Sequence, residues 1–289
     1  MVRIRIWIII LPLLYGTSNE GIVKMKNYND NYSCFDENEF FQVALLSVLG
    51  DRDEQQDSAG FELNQNEGIV CVCDGMGGHE GGKMVSNLAV DCLLTSYSDT
   101  YPYDDIHNLL IEAAKKANAD ISSLKHNDGT KMQSGTTTVS VVIKKDKLFW
   151  ISVGDSRLYL FRNDETVRAT TDHNYRLALD EAFDAGVINE DKYNQELHRG
   201  EALISFLGVG KLNLIDSNKE PVTLLKNDKL LLMTDGLYKL LSDEEIGKIV
   251  FNFANISEAT QALEIKAKKK AKSLNVKRDN MTIALIKIK

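Results

Sequence analysis

An apolar run that ends on a carboxylate and then breaks into glycine constrains this chain more than any other stretch. Residues 68–73 are small or branched and apolar, Asp74 follows, and Gly75, Gly77, Gly78, Gly81 and Gly82 come next. Beyond Gly82, Val85, Leu88, Ala89, Cys92 and Leu93 recur at helical spacing. Strand, acidic tip, glycine-rich turn and helix in that order present bare backbone to a charged ligand.

What the ligand can be is narrowed by charge. Lys and Arg number 34 against 42 Asp and Glu, a net charge of −8. Nucleic-acid binders show a basic face, so no nucleic-acid partner is expected, and cations are the more natural ligands. With 289 residues, 43% apolar, the chain can bury a full core. Cys71 and Cys73 lie two apart on the strand expected over 68–73 and lack C-x-x-C spacing. With Cys34 and Cys92 they are read as free thiols, which points to a cytoplasmic, reducing compartment. Against this, Arg3 and Arg5 precede an apolar run at 6–15 that has the outline of a signal peptide. Export or membrane attachment through 6–15 is the alternative location, although about ten apolar residues are too few to span a bilayer as a helix.

Residues 16–40 are polar and aperiodic and read as a linker, so the domain is expected over 41–289, after a leader and linker at 1–40. Strands are expected at 41–47, 68–73, 136–143, 148–153, 157–161, 229–234 and 281–286, with helices to about 97 and over 104–124, 243–253 and 257–274. The short turns at 145–147 and 154–156 predict that the three strands from 136 to 161 are antiparallel neighbours. Residues 174–210 read as a mixed, helical insertion. A block of strands, then helices, then a strand predicts an α+β fold of two packed sheet layers covered by helices.

Asp74, Asp155, Asp235 and Asp279 each stand at an end of one of these apolar runs, and Asp57 closes the charged stretch that holds Arg52. Singly, an Asp-Gly pair is an ordinary hairpin turn. If the strands share a sheet, the carboxylates converge at one rim, where repulsion raises their pKa values unless cations intervene. All-oxygen sites of this kind suit Mn²⁺ or Mg²⁺. Two such ions about 3.5–4 Å apart can activate a bridging water for in-line displacement. Arg52 can grip a phosphate through two parallel hydrogen bonds. A nucleotide-binding reading competes, because residues 77–83 fit G-x-x-x-x-G-K, but Met84 stands where the Mg²⁺-binding Ser or Thr is needed. The antiparallel block from 136 to 161 also breaks the βα alternation of such a fold.

From about 41 to 289 the chain resembles the metal-dependent Ser/Thr protein phosphatases of type 2C, the PPM family, in their bacterial form. The resemblance rests on an ordered set: Arg52 with Gln56-Asp57; Asp74-Gly75-Met76-Gly77-Gly78; Ser134-Gly135-Thr136-Thr137; Gly154-Asp155-Ser156-Arg157; Thr171-Asp172-His173; Thr234-Asp235-Gly236-Leu237; and Arg278-Asp279-Asn280-Met281-Thr282. It implies a four-layer α-β-β-α sandwich with two mostly antiparallel sheets and a flap at about 174–210. It further implies hydrolysis of phosphoserine and phosphothreonine by a hydroxide bridging two Mn²⁺ or Mg²⁺ ions, with no covalent intermediate. By position, Asp74, the Gly75 carbonyl, Asp235 and Asp279 would hold the pair, and Asp57 would reach it directly or through water. Asp155 with Asp235 matches a third, weaker site, and Arg52 would bind the substrate phosphate. The substrates would be phosphoproteins, those of a partner Ser/Thr kinase foremost.

Two departures are visible. Met76 stands where animal-type members carry a candidate acid, which leaves protonation of the departing oxygen to a metal-bound water or to His79. Gln55 replaces an Asn common in the bacterial branch, with little consequence expected. His173 is read as ordering the flap, and His107, His126 and His198 as structural or exposed. The alternative function on the same fold is an inactive pseudo-phosphatase serving as a scaffold module.

Overall fold

The computed structural model describes residues 23–26, 30–78, 81–100 and 105–289. The apolar leader at 6–15, His79 and Asp104 lie outside them.

Two sheets form the centre of the molecule. Among the described residues, the first comprises β1 (Val23–Lys26), β4 (Asp57–Leu63), β5 (Glu67–Met76), β7 (Thr138–Lys144), β8 (Lys147–Val153) and β11 (Asp216–Ser217) in that order. The short strands β6 (Gly135–Thr136) and β12 (Val222–Thr223) pair with β5 and β8. The second sheet runs β10 (Glu165–Arg168), β9 (Arg157–Arg162), β13 (Lys229–Met233), β14 (Met281–Ile288), β3 (Phe41–Val48), β2 (Tyr32–Glu37). Every pairing is antiparallel.

The continuous apolar runs follow from coverage on both faces, since successive side chains point to opposite sides of a sheet. On β5, Val70 and Val72 join the core between the sheets, while Ile69, Cys71 and Cys73 pack under α1 (Gly81–Asp99) and α2 (Ile106–Ser122). On β13, Leu230 and Leu232 enter that same inter-sheet core, while Leu231 and Met233 face α6 (Asp243–Asn252) and α7 (Ile256–Leu274). The result is the expected helix–sheet–sheet–helix stack. All four cysteines are free, and Cys71, Cys73 and Cys92 are buried. The insertion folds as α3 (Tyr175–Asp184), α4 (Glu190–Glu196) and a 3-10 turn, Leu197–Arg199. Its ends are tied by bridges between Asn174 and Leu203 and between Thr136 and Leu207. No helix among the described residues is long and apolar enough to cross a membrane.

Three expectations are corrected. The stretch 16–40 is not all linker: β1 pairs with β4, and β2 pairs with β3 through the whole register from Tyr32↔Ser47 to Glu37↔Gln42. As the edge of its sheet, β2 leaves Ser33, Phe35 and Glu37 exposed, so its hydrophobic pattern is faint. The strands β7, β8 and β9 are not three neighbours. β7 pairs with β8, but β9 belongs to the other sheet, so the turn at Gly154, Asp155 and Ser156 is a crossing between sheets rather than a hairpin. The second helix starts at Ile106 because the Asp105 side chain accepts the Asn108 N–H and caps it.

Candidate metal centre

The site is assembled where strands from both sheets end on one side of the sandwich. The register of β4 against β5 sets Asp57 directly opposite Asp74. Two carboxylates in that relation repel; Asp57 is withdrawn from water and Asp74 is half-buried. Asp57 is 4% exposed. Its Oδ2 accepts a 2.9 Å hydrogen bond from Thr234 Oγ1. Burial pushes the Asp57 carboxyl up to about 8, against hydrogen bonds from Thr234 and Thr282 that lower it, and with Asp235 and Asp279 adding repulsion. The Asp74 carboxyl is also raised well above the usual range, first by burial and then by Asp57, Asp235, Asp155 and Asp279. Neither has an ion-pair partner among the described residues.

Asp74 is fixed through its backbone by the Ser134–Thr137 stretch. Its N–H donates to Thr137 Oγ1 at 3.0 Å, and its carbonyl accepts from Thr137 N–H at 2.9 Å and Thr136 Oγ1 at 2.8 Å. Gly75 is required because a Cβ there would stand 2.1 Å from the Gly82 carbonyl oxygen. Asp235 opens the short helix α5 (Asp235–Tyr238). Gly236 after it passes so close to β14 that a Cβ would meet the Asn280 carbonyl oxygen at 2.0 Å. Both Asp-Gly pairs are therefore close backbone approaches, not hairpins.

Asp155, on the crossing between sheets, is clamped from three directions. The Gly154 N–H donates to His173 Nδ1 at 3.2 Å, and the His173 N–H donates back to the Gly154 carbonyl at 2.9 Å. The Tyr238 hydroxyl donates to the Asp155 carbonyl at 3.0 Å. Arg157 stacks 3.5 Å from the Tyr238 ring centre and is held by Asp172 in a fork of 3.1 and 2.8 Å. The motifs around Asp155 and His173 are thus two halves of one clamp, and His173 is structural, as expected. Burial and Asp235 raise the Asp155 carboxyl to about 6, while Lys239 pulls it down.

Asp279 precedes β14, and its Oδ2 lies 2.6 Å from Arg52 Nη2. The loop carrying Arg52 is stapled to this strand end by Asn280, whose Oδ1 accepts the Gln56 N–H at 2.9 Å. Asn280 Nδ2 donates to the carbonyls of Leu49 and Glu54 at 2.9 and 3.0 Å. A cavity of about 850 Å³ opens over Arg52, Gly77, Gly78, Gly236, Lys239 and Asp279.

All the carboxylates singled out in the sequence therefore meet in one electrostatic cluster. Four partners were missed. Asn280 and Thr234 act through tertiary hydrogen bonds that no local pattern announces. Lys239, 2.5 Å from Asp235 Oδ2, was legible as an i,i+4 pair. Gln55, expected to matter little, is 2% exposed. Its Oε1 accepts the Asp57 N–H at 3.1 Å, and its Nε2 donates to Ser47 Oγ at 2.9 Å. His79 lies outside the described residues. His107 and His198 make ordinary bonds to backbone carbonyls.

Among the described residues no group of three or more His, Cys, Asp or Glu side chains is placed so as to hold a metal ion by itself. The cations in contact with the cluster are Arg52 and Lys239. The donor set nevertheless fits divalent ions that prefer oxygen. It consists of carboxylates and a backbone carbonyl, and the buried Asp57 and half-buried Asp74 face each other without a compensating charge, an arrangement that costs stability unless a cation balances it.

Comparison with known proteins gives a consistent picture. The family description Protein phosphatase 2C matches residues 35–179, which reaches upstream of 41 into β2. The serine/threonine phosphatase stp of Listeria welshimeri is 30% identical over 241 residues, covering 81% of this chain and 90% of its own length. The S. agalactiae serine/threonine phosphatase shares the fold with a TM-score of 0.73 at 24% identity, over 86% of this chain and 100% of that one. The catalytic domain of the serine/threonine protein phosphatase PstP, solved in complex with two manganese ions, gives 0.67 at 24% identity, over 86% and 98%.

Proposed function

This chain belongs to the protein phosphatase 2C family, and on that premise we propose that its aspartate rim holds two divalent cations that serve hydrolysis of phosphoserine and phosphothreonine in proteins. The chain is a protein-serine/threonine phosphatase. The observation that carries the finer reading is the β4–β5 register, which sets the buried Asp57 opposite a half-buried Asp74 with no basic ion-pair partner for either among the described residues.

In this reading Asp74, the Gly75 carbonyl, Asp235 and Asp279 would hold the ions, and Asp57, oriented by the Thr234 hydroxyl, would reach them directly or through water. Manganese or magnesium, when bound, supplies Lewis acidity and an activated water for in-line attack on phosphorus, so that no phosphoenzyme forms. Arg52 exchanges Asp279 for the substrate phosphate. Its side chain is 58% exposed at the cavity, and a guanidinium matches phosphate oxygens in the same forked geometry as a carboxylate. There it neutralises the equatorial oxygens as charge develops. The Met76 thioether carries no proton, so the departing oxygen takes its proton from water or from His79.

We assign the catalytic unit to β2 through β14, with 174–210 as a flap that shapes access. Phosphoproteins, those of a partner Ser/Thr kinase foremost, are the substrates. The free cysteines support a cytoplasmic setting. A scaffold module without chemistry is the weaker reading, because every acidic position is filled.

The test is manganese-dependent dephosphorylation of a phosphothreonine peptide. Asp235→Asn should abolish it while the circular dichroism spectrum stays unchanged. Full activity in that variant, or in excess chelator, contradicts the assignment.

A further inference from the structure

Lys239 is not needed for anything described so far, yet it touches the centre of the cluster. Its Nζ lies 2.5 Å from Asp235 Oδ2 and 4.0 Å from Glu201 Oε2 of the insertion. The position is built rather than incidental. Asp235 begins α5 and Lys239 follows four residues later, which places both on one side of a single helical turn. Between them, the Tyr238 hydroxyl pins that turn to the Asp155 carbonyl at 3.0 Å. The ammonium is therefore carried on a segment anchored at both Asp235 and Asp155, and Asp155 is within its electrostatic reach.

We propose that Lys239 is a resident cation of the centre: its ammonium takes the Asp155–Asp235 side, so that this chain holds two divalent ions and no third.

The charge balance supports this, and it rests on the two-ion reading above. Asp57, Asp74, Asp155, Asp235 and Asp279 bring five negative charges. Two divalent ions and one ammonium cancel them, which leaves Arg52 free to exchange Asp279 for a dianionic phosphate. A third divalent ion would have to enter a cluster already neutral and displace an amine tethered four residues from the carboxylate it holds. A half-exposed ion pair is weak by itself. A tethered one is present at high effective concentration, and free ions must compete with it.

Ions per folded chain can be counted by equilibrium dialysis against manganese, which needs no turnover. The unmodified protein and Lys239→Arg should each retain about two ions. Lys239→Gln, which removes the charge and keeps a polar side chain of similar reach, should retain about three, the additional one weaker. An equal count in the unmodified protein and Lys239→Gln overturns the proposal, as does a third ion in the unmodified protein. Manganese failing to bind the unmodified protein at all is a different result: it removes the metal centre itself, and this inference with it.

Discussion

Asp228 and Asp235 flank strand β13, one just before Lys229 and the other two residues past Met233. At the Asp228 end the buried carboxylate is paired with an arginine and the neighbouring buried lysine has hydrogen-bond acceptors. Arg162 reaches Asp228 with Nε at 3.0 and 3.2 Å and Nη2 at 2.5 Å, and the Leu225 N–H adds a bond of 2.7 Å. Lys229 beside it donates to the carbonyls of Val250 and Phe253 at 2.5 and 2.7 Å. At the Asp235 end the buried Asp57 and the half-buried Asp74 have hydroxyls, backbone and other carboxylates for company. Buried charge that its own fold neutralises belongs to the scaffold. Buried charge left among like charges is a cost retained for a ligand.

Substitution separates the two ends. The largest expected effect is on activity in Asp74→Asn. Removing one preorganised electrostatic contact in an active site costs on the order of 10²–10³ in rate, and turnover of a phosphothreonine peptide should fall at least that far. The same variant in chelator should melt no lower than the parent, because the carboxyl it replaces is disfavoured there by burial and by its acidic neighbours. Asp228→Ala should do the reverse. Breaking a buried pair costs about 3–5 kcal/mol. Arg162 retains some solvent, its side chain being 29% exposed, which puts the loss at the low end of that range. Urea denaturation should register the loss while kcat per folded molecule is unchanged. Equal effects of the two variants on both readouts would dissolve the distinction.

Much of this contrast was legible before any coordinates. β5, β13 and β14 announce themselves as unbroken apolar runs because each is covered on both faces, and the aspartates at their ends follow from that. The crossing at Asp155 was not legible, since Gly-Asp-Ser is as good a hairpin as a bridge between sheets, and only the pairing of β9 with β13 decides. The weight carried by Gln55 and Asn280 was hidden for another reason. Asn280 bonds backbone groups of the 49–56 segment that only the fold brings to the start of β14, and Gln55 links the Asp57 N–H to the Ser47 hydroxyl of β3. The family description matched at 35–179 takes in Asp57, Asp74 and Asp155, and the sheets bring Asp235 and Asp279 to the same end.

A smaller effect comes from pH. Burial raises Asp57 to about 8 and Asp155 to about 6 in the metal-free fold, whereas an unfolded aspartate titrates near 4. Between those values the native state holds more protons than the unfolded one, so stability falls as pH rises. In chelator, the melting temperature should drop by several degrees from pH 5 to pH 8, at about 2–4 °C per kcal/mol. Saturating manganese keeps the aspartates charged in the native state, as they are in the unfolded chain over this range, so the slope should largely vanish. A chelated protein that gains stability over this range would show that the rim is no less satisfied than the Asp228 end.

The smallest expected effect tests how sharply the site is bounded. His173 lies at the aspartate end, yet its Nδ1 accepts the Gly154 N–H at 3.2 Å and so does what Arg162 does at the other end. It holds a piece of chain in place. His173→Ala leaves that buried N–H without an acceptor, a loss of about 1–3 kcal/mol. Asp172, Arg157 and Tyr238 still grip the Asp155 turn from the other side. Turnover per folded molecule should therefore stay within about threefold, less than 1 kcal/mol in barrier, and His173→Asn, which can restore an acceptor, should recover most of the stability. Were His173→Ala instead to lose activity as heavily as Asp74→Asn while melting normally, the imidazole would be part of the chemistry. The line between scaffold and site would then run on the far side of the Asp155 turn.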